Sequence, residues 1–362
     1  MSGAAMKGPI LIMAGGTGGH VFPALAVAES LRQRNIEVRW LGAPQGMEAD
    51  IVPKAGFPID YVTISGLRGK GVLSWLTAPF KLLVAMWQSM RLIRRIKPAA
   101  VLGMGGFVTG PAGVMAVLLG RPLVIHEQNA IAGMTNRLLA RIATRVLAAF
   151  PGAFKSATVT GNPVRTQIAA LPAPAQRLRD HAGEPLHLLV LGGSLGAQAL
   201  NSTVPHALAL IPEKQRPWVW HQAGRRHIEA AQAEYRSAGI TGQVVPFIEE
   251  MAEAYAWADI VLCRAGALTV SELAAAGVGA ILVPYPHAVD DHQTSNAHFL
   301  VDQGAAVLIQ QTALNAHALA ALLLELASSR TKIVAMAEAA RALAKPEATA
   351  EVVRHCLEVA HG

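Results

Sequence analysis

The chain alternates short apolar runs with longer stretches in which apolar residues recur at helical spacing. The apolar runs, bounded by glycine or polar residues, predict buried strands at 9–14, 36–41, 58–64, 99–102, 122–126 and 145–149. The same rhythm resumes after a Pro- and Ala-rich polar stretch at 171–185, which reads as a linker. Strands are predicted there at 186–191, 218–222, 243–248, 260–263 and 280–286. HAVDDHQTSNA, which begins at His287, reads as a polar loop, and the Ala/Leu-rich tail, 313–360, as helical. Strands alternating with helices imply parallel sheets covered on both faces, an α/β architecture. Each half opens with an apolar strand and a glycine turn, so two similar domains facing one cleft are expected.

Composition supports this picture. The 362 residues are 52% hydrophobic and 15% charged, enough for two well-filled cores. Cys263 and Cys356 are the only cysteines, which points to a reducing compartment without a disulfide framework. The opening residues, MSGAAMKGP, carry no apolar signal-peptide region. The net charge of +7 is unevenly placed: no acidic residue lies between Asp60 and Glu127, an interval holding Arg68, Lys70, Lys81, Arg91, Arg94, Arg95, Lys97 and Arg121. Within it, residues 72–93 are apolar but interrupted by Pro79, Lys81 and Arg91, which argues against a spanning helix. Trp75, Phe80, Leu83 and Trp87 can share one helical face. That face either packs on a core or rests in an anionic membrane surface, and the missing acids favour the membrane. No aromatic-and-glycine recognition module is present, so no nucleic-acid partner is expected.

The first glycine turn, Gly15-Gly16-Thr17-Gly18-Gly19, joins a strand to a helix that starts near His20. Glycines let a ligand approach the backbone, and a helix N-terminus offers unpaired N–H groups to an anion. The dinucleotide fingerprint fails, because the last glycine of the pattern would fall on Val21 and the next strand ends in Gly42 rather than an acid. No Gly-Lys-Ser/Thr follows, so it is not a P-loop either. A phosphate or sugar ligand fits better. GMGG at 103–106 and HEQN at 126–129 fall at the ends of other predicted strands, where open parallel sheets bind ligands.

Other residues carry chemistry. Ser194, among Gly192, Gly193 and Gly196, can hold a phosphate or simply cap a helix. Thr269 and Glu272 fit a capping box, while the alternative gives Glu272 the two hydroxyls of a ribose. His20 is the candidate general base, since the positive end of a helix dipole favours neutral imidazole. His287, Asp290, Asp291 and His292 look like metal ligands, but nothing fixes their geometry and no Asp-x-Asp occurs. No metal and no cofactor are expected.

Together, GGTGGHVFPALAVA, HEQNAIAGMTNR, GNPVR, GGSLGAQALN, RAGALTVSE and HQTSNA resemble the MurG family in order and spacing, from about residue 8 to residue 304. That resemblance implies the GT-B fold of two Rossmann-like domains. Residues 1–164 would bind acceptor and membrane, with a last helix at about 346–362 packing back on them, and residues 165–345 would bind the donor. The reaction would carry N-acetylglucosamine from UDP-GlcNAc to the 4-hydroxyl of the muramoyl sugar of lipid I, giving lipid II with inversion at the cytoplasmic face of the inner membrane. By the family motifs, Thr17, Gly18 and Gly19 approach the donor, and Asn129 contacts its sugar. Arg165 and Ser194 serve the nucleotide and its phosphates, and Ile248 meets the uracil through its backbone. Ala267, Leu268, Thr269, Val270, Ser271 and Glu272 line sugar, diphosphate and ribose, with Glu272 on the ribose, and Gln293 reads the sugar hydroxyls. His292 stands where some relatives have glutamine. Rival readings are a UDP-N-acetylglucosamine 2-epimerase, which would need acidic catalysts, and a nucleotide-sugar-binding subunit, which usually carries only one half's motifs.

Overall fold

The structure, a computed structural model, describes residues 8–64, 77–179, 181, 183–193 and 196–361. It divides into two compact units, residues 1–165 with 347–362 and residues 166–346.

The first unit holds seven parallel strands in the order β3-β2-β1-β4-β5-β6-β7. These are β1 Ile10–Ala14, β2 Val38–Gly42, β3 Ile59–Tyr61, β4 Ala100–Gly105, β5 Leu123–Glu127, β6 Arg145–Ala148 and β7 Thr158–Val159. The helices are α1 Gly18–Gln33, α2 Glu48–Lys54, α3 Ala78–Ile96, α4 Thr109–Leu118 and α5 Met134–Leu139. Strands β1, β4 and β5 are wholly buried, as a parallel sheet covered on both faces requires. Chain order reverses at β1, which pairs with both β2 and β4, and such a switch point opens a ligand crevice at the strands' carboxyl ends.

The second unit repeats the plan with six parallel strands, β10-β9-β8-β11-β12-β13. They are β8 His187–Leu191, β9 Trp218–Gln222, β10 Gln243–Val245, β11 Ile260–Cys263, β12 Gly279–Leu282 and β13 Ala306–Leu308. Two short helices, α6 Thr166–Ala169 and α7 Pro174–Arg177, lead into it. The helices after β8 are α8 Gln198–Ala209, α9 Ile228–Ser237, α10 Met251–Trp257, α11 Ala267–Ala276, α12 His292–Val301, α13 Ala316–Ala327 and α14 Arg330–Ala342. The final helix, α15 Ala348–His361, belongs to the first unit: Val352, Val353 and Cys356 join the core built by β1, α1 and β4.

Several expected elements differ. The strand expected at 243–248 stops at Val245, because Pro246 has no N–H to give a ladder. The stretch expected as a linker at 171–185 is tied into the second unit by Arg177. Its buried guanidinium donates to the carbonyls of Tyr255, Ala258 and Gly277 at 3.0, 2.7 and 2.7 Å. Burial lowers its pKa only to about 10, so the charge survives at neutral pH. The polar stretch expected as a loop turns helical at His292, where Asn296, Ala297 and Leu300 are buried and the polar residues between them are not. Strands β7 and β13 are too short to stand out as apolar runs.

Both thiols lie in these cores, and burial pushes each up to about 12. Iodoacetamide at mildly alkaline pH should therefore label neither cysteine in the folded protein and both in guanidinium. Labelling of Cys356 in native buffer would show that α15 leaves the sheet.

Candidate functional site at the carboxyl edges of the sheets

In the first unit the turn after β1 is braced by a residue that pattern reading passed over. Glu48, the first residue of α2, is completely buried. Its two carboxylate oxygens accept the Gly16 and Ala43 N–H groups, each at 2.9 Å. One carboxylate thus ties the turn after β1 to the turn after β2. It also explains three glycines: a Cβ on Gly15, Gly42 or Gly46 would lie 2.3, 2.6 or 2.1 Å from Glu48 side-chain atoms. Gly16 has positive φ and open space beside it.

Thr17 is the N-cap of α1, in extended conformation, and its carbonyl accepts the His20 and Val21 N–H groups at 3.1 Å. Its side chain makes no cap, and the first turn of α1 carries no acid. The positive end of the helix, including the Gly18 and Gly19 amides, thus carries no acid of its own and is suited to an anion. His20, the third residue of α1, is half-buried, with Nδ1 2.8 Å from Gln128 Oε1. The GMGG turn makes room for it. Gly105 has φ +106°, and a Cβ there would come 2.7 Å from His20 Nδ1.

Residues 126–129 end β5 and form a second brace. His126 is buried, its Nε2 lies 2.9 Å from the Gly161 carbonyl, and burial holds its pKa near 4. Glu127 Oε1 accepts the Asn129 backbone and side-chain N–H groups at 2.9 and 3.2 Å. Glu127 Oε2 accepts from Gly133 and Asn136 at 3.0 and 2.9 Å. The loop that presents Asn129 is thus wound around a buried carboxylate. Arg165, the last residue before the second unit, has its guanidinium 4.9 Å from the Phe22 ring centroid, a cation–π contact.

The second unit builds its own edge. A Cβ on Gly192 would lie 2.9 Å from the Gln222 carbonyl, and one on Gly196 2.5 Å from that of Ala223. Ser194 lies outside the described residues. Asn201 donates to the Ala223 carbonyl at 3.0 Å, and its Oδ1 accepts from His221 Nε2 at 3.0 Å. Tyr235 O–H lies 2.9 Å from His221 Nδ1, and burial pushes His221 down to about 3.

After β11, helix α11 begins at Ala267 with Gly266 as its N-cap and no side-chain cap. Thr269 is the third residue inside the helix, so the expected capping box does not form. Here the glycine ends β11's turn and starts the helix three residues earlier than the Thr/Glu pattern suggests. Neither α8 nor α11 has an acid in its first turn. Ala267, Val270 and Glu272 are buried, and Leu268, Thr269 and Ser271 are partly exposed. Ser271 donates back to the Ala267 carbonyl at 3.0 Å, and Glu272 Oε2 accepts from Tyr255 O–H at 3.2 Å. Ile248 is buried in the loop after β10. Gln293, second in α12, accepts the Tyr285 N–H at 2.9 Å through Oε1.

Within the first unit the structure gathers Thr17, Gly18, Gly19, His20, Asn129 and Arg165 at the carboxyl edge of the sheet. Within the second it places Ile248, residues 267–272 and Gln293 at the corresponding edge. Among the described residues, the one set of metal-ligating groups close enough to share an ion is His181, His187 and Asp259. It lies at the amino ends of β8 and β11, and Asp259 is occupied by His181, the His187 amide and Arg330.

Two Rossmann-ordered sheets with glycine turns at their carboxyl edges have the plan of the GT-B fold, and each unit matches one half of a glycosyltransferase. Residues 10–148 match the glycosyltransferase family 28 N-terminal domain, and residues 187–352 match the family 28 C-terminal domain. A UDP-N-acetylglucosamine–N-acetylmuramyl-(pentapeptide) pyrophosphoryl-undecaprenol N-acetylglucosamine transferase of Cupriavidus metallidurans is 59% identical, the match covering 97% of this chain and 98% of that one. The enzyme of the same name from Marinobacter nauticus is 58% identical over the same shares. The crystal structure of Acinetobacter baumannii MurG superposes with a TM-score of 0.84 at 46% identity, covering 97% of this chain and 100% of that one. The chain belongs to glycosyltransferase family 28, in its MurG branch.

Glu48→Ala should strand the Gly16 and Ala43 amides and cost about 1–3 kcal/mol. Urea unfolding checks this, and Glu48→Gln, which keeps one acceptor, should lose less. Equal stability of all three proteins would show that the carboxylate does not hold the turn.

Proposed function

We propose that the chain transfers N-acetylglucosamine from UDP-GlcNAc to the 4-hydroxyl of the N-acetylmuramoyl-pentapeptide of lipid I, forming lipid II with inversion. The observation that carries this reading is end-to-end similarity at 58–59% identity to transferases named for that reaction. The geometry supplies parts suited to it. His20 takes the proton of the acceptor hydroxyl as that oxygen bonds to C1 of the donor sugar. The bond from C1 to the UDP oxygen breaks, and its electron pair leaves on the diphosphate. Inversion follows from one in-line displacement, which needs a positioned base and a stabilised leaving group.

The leaving charge is taken up by the acid-free helix starts and by Arg165 and Ser194. Thr17, Gly18 and Gly19 approach the donor, and Asn129 and Gln293 contact its sugar. Ile248 meets the uracil through its backbone. Ala267, Leu268, Thr269, Val270 and Ser271 line the diphosphate and sugar, and Glu272 takes the ribose hydroxyls. The residues from 1 to 164, with the last helix, serve acceptor and membrane, and residues 165–345 serve the donor.

Incubation with UDP-GlcNAc and a lipid I analogue should give the disaccharide product with a β linkage. Donor alone should give no manno epimer; such an epimer would favour the epimerase reading. His20→Ala should lower turnover by ~10²–10⁴ with donor affinity little changed. A loss below ~10-fold would sink the base role.

A membrane role rests on α3. No described helix is long and apolar enough to cross a bilayer. Ala85, Ser89 and Ile93 turn to the core, while Phe80, Leu83 and Trp87 are 72%, 64% and 52% exposed. The alternative of a core-facing aromatic stripe therefore fails for these three, and Trp75 lies outside the described residues. Arg91 stacks on Trp87 at 4.8 Å, and Arg95 is held by Asp60. Apolar side chains framed by Lys81, Arg91 and Arg94 suit an anionic lipid surface, here the cytoplasmic face of the inner membrane. Phe80→Glu and Leu83→Glu should each weaken co-sedimentation with anionic liposomes without changing turnover on a short-chain soluble acceptor. Unchanged sedimentation of the double variant would discard this surface.

A further inference from the structure

His20 is joined to the interior of the first unit by a continuous file of hydrogen bonds. The file starts at the Gly161 carbonyl, which only accepts, so His126 Nε2, 2.9 Å away, carries its proton. Burial keeps His126 neutral, leaving Nδ1 as a lone-pair acceptor 3.1 Å from Gln128 Nε2. The orientation of the Gln128 amide is set a second time by the His126 carbonyl, 3.2 Å from the same nitrogen. A flipped amide would put Oε1 against that carbonyl oxygen and against the imidazole lone pair. The Gln128 backbone is itself held, its carbonyl accepting from Asn162 Nδ2 at 3.2 Å. Gln128 Oε1 therefore points at His20 Nδ1, 2.8 Å away, and an amide oxygen can only accept.

We propose that Gln128, oriented by His126, fixes His20 as the tautomer with its proton on Nδ1 and its lone pair on Nε2, so that both are positioning residues for the transfer. This rests on the reading of His20 as the base. The choice of tautomer matters because a base held in the wrong one presents a proton where it must accept one. In the serine-protease triad that error costs about 10⁴ in turnover. An amide does this orienting without placing a negative charge beside the ring. The ionisable groups around it are turned elsewhere. Glu127 is engaged by Asn129, Gly133 and Asn136, and Glu48 by the Gly16 and Ala43 amides. The first turn of α1 has no acid, and what the β4 turn sets against the ring is Gly105.

The test begins with the unaltered protein. Histidine-selective ¹⁵N NMR, with the His20 signals assigned by their loss in His20→Ala, should show a protonated Nδ1 and a bare Nε2. A predominant Nε2–H tautomer would overturn the proposal. Gln128→Met keeps the length of the side chain and removes its acceptor. It should lower kcat by at least ~10-fold, leave KM for UDP-GlcNAc within about 2-fold, and mix the His20 tautomers. His126→Phe should shift the same three readouts in the same direction. His20→Ala separates this proposal from the reading beneath it. If that variant loses ~100-fold or more while Gln128→Met changes neither kcat nor tautomer, the file is wrong and the base stands. If His20→Ala loses less than ~10-fold, the base reading falls and the file has no catalytic role.

Discussion

Three turns in the first unit meet at distances that leave no space for a Cβ, and the rest of the site follows from that crowding. Gly106 approaches the Gly15 backbone so closely that a Cβ would lie 2.5 Å from its carbonyl oxygen. Gly15 in turn abuts Glu48, and Gly105 abuts His20. Parallel strands β1, β2 and β4 end side by side, so their turns compete for one small volume. Removing side chains from the turns lets backbone amides and one imidazole occupy that volume together. Glu48 then fills the remaining space and accepts two of the amides left unpaired by the turns, which a buried backbone requires.

The two units solve the same problem with the same chemistry in different places. Each has a neutral, buried histidine that passes polarity between a side-chain amide and a second partner. In the first unit these are Gln128 and the Gly161 carbonyl; in the second they are Asn201 and Tyr235. A neutral imidazole offers one donor and one acceptor, so it can sit between two polar groups without a buried charge. Protonated, it would present two donors, and the amide nitrogen of Gln128 would face a second N–H. Burial, which drives His126 to about 4 and His221 to about 3, keeps both in the useful form at neutral pH.

The strands were legible because parallel strands buried on both faces read as unbroken apolar runs, as β1, β8 and β11 do. Glycine turns were legible as ligand-binding features, but only part of their glycine content serves that end. Gly15, Gly42 and Gly46 are required by Glu48, which with Asp50 reads as an ordinary acidic helix start. The nearest available sign was its place after a glycine pair of turns, and nothing in the pattern separated it from a surface carboxylate. Gln128 was passed over for a similar reason. HEQN reads as a strand end, yet His126, Glu127 and Gln128 are all buried, and the carbonyl that orients His126 belongs to Gly161, 35 residues further along the chain. Thr269 failed in the opposite direction: its local pattern was strong, and the tertiary position of Gly266 overrode it.

The helix starts show where the fold can receive an anion. Acids are favourable in the first turn of a helix, by about 0.3–1 kcal/mol each at an exposed site. Yet α1, α8 and α11, the helices that follow the glycine-bearing turns, have none. Among the described α-helices only α2, α9, α10 and α15 carry an acid there, Glu48 and Asp50 in α2, Glu229 in α9, Glu253 in α10 and Glu351 in α15, while α3, α5, α6, α7, α12, α13 and α14 have none. An acid-free start is therefore common in this fold, and what sets α1, α8 and α11 apart is the glycine turn in front of each. An acid-free start behind a glycine turn combines a positive helix end with a backbone that an anion can approach closely.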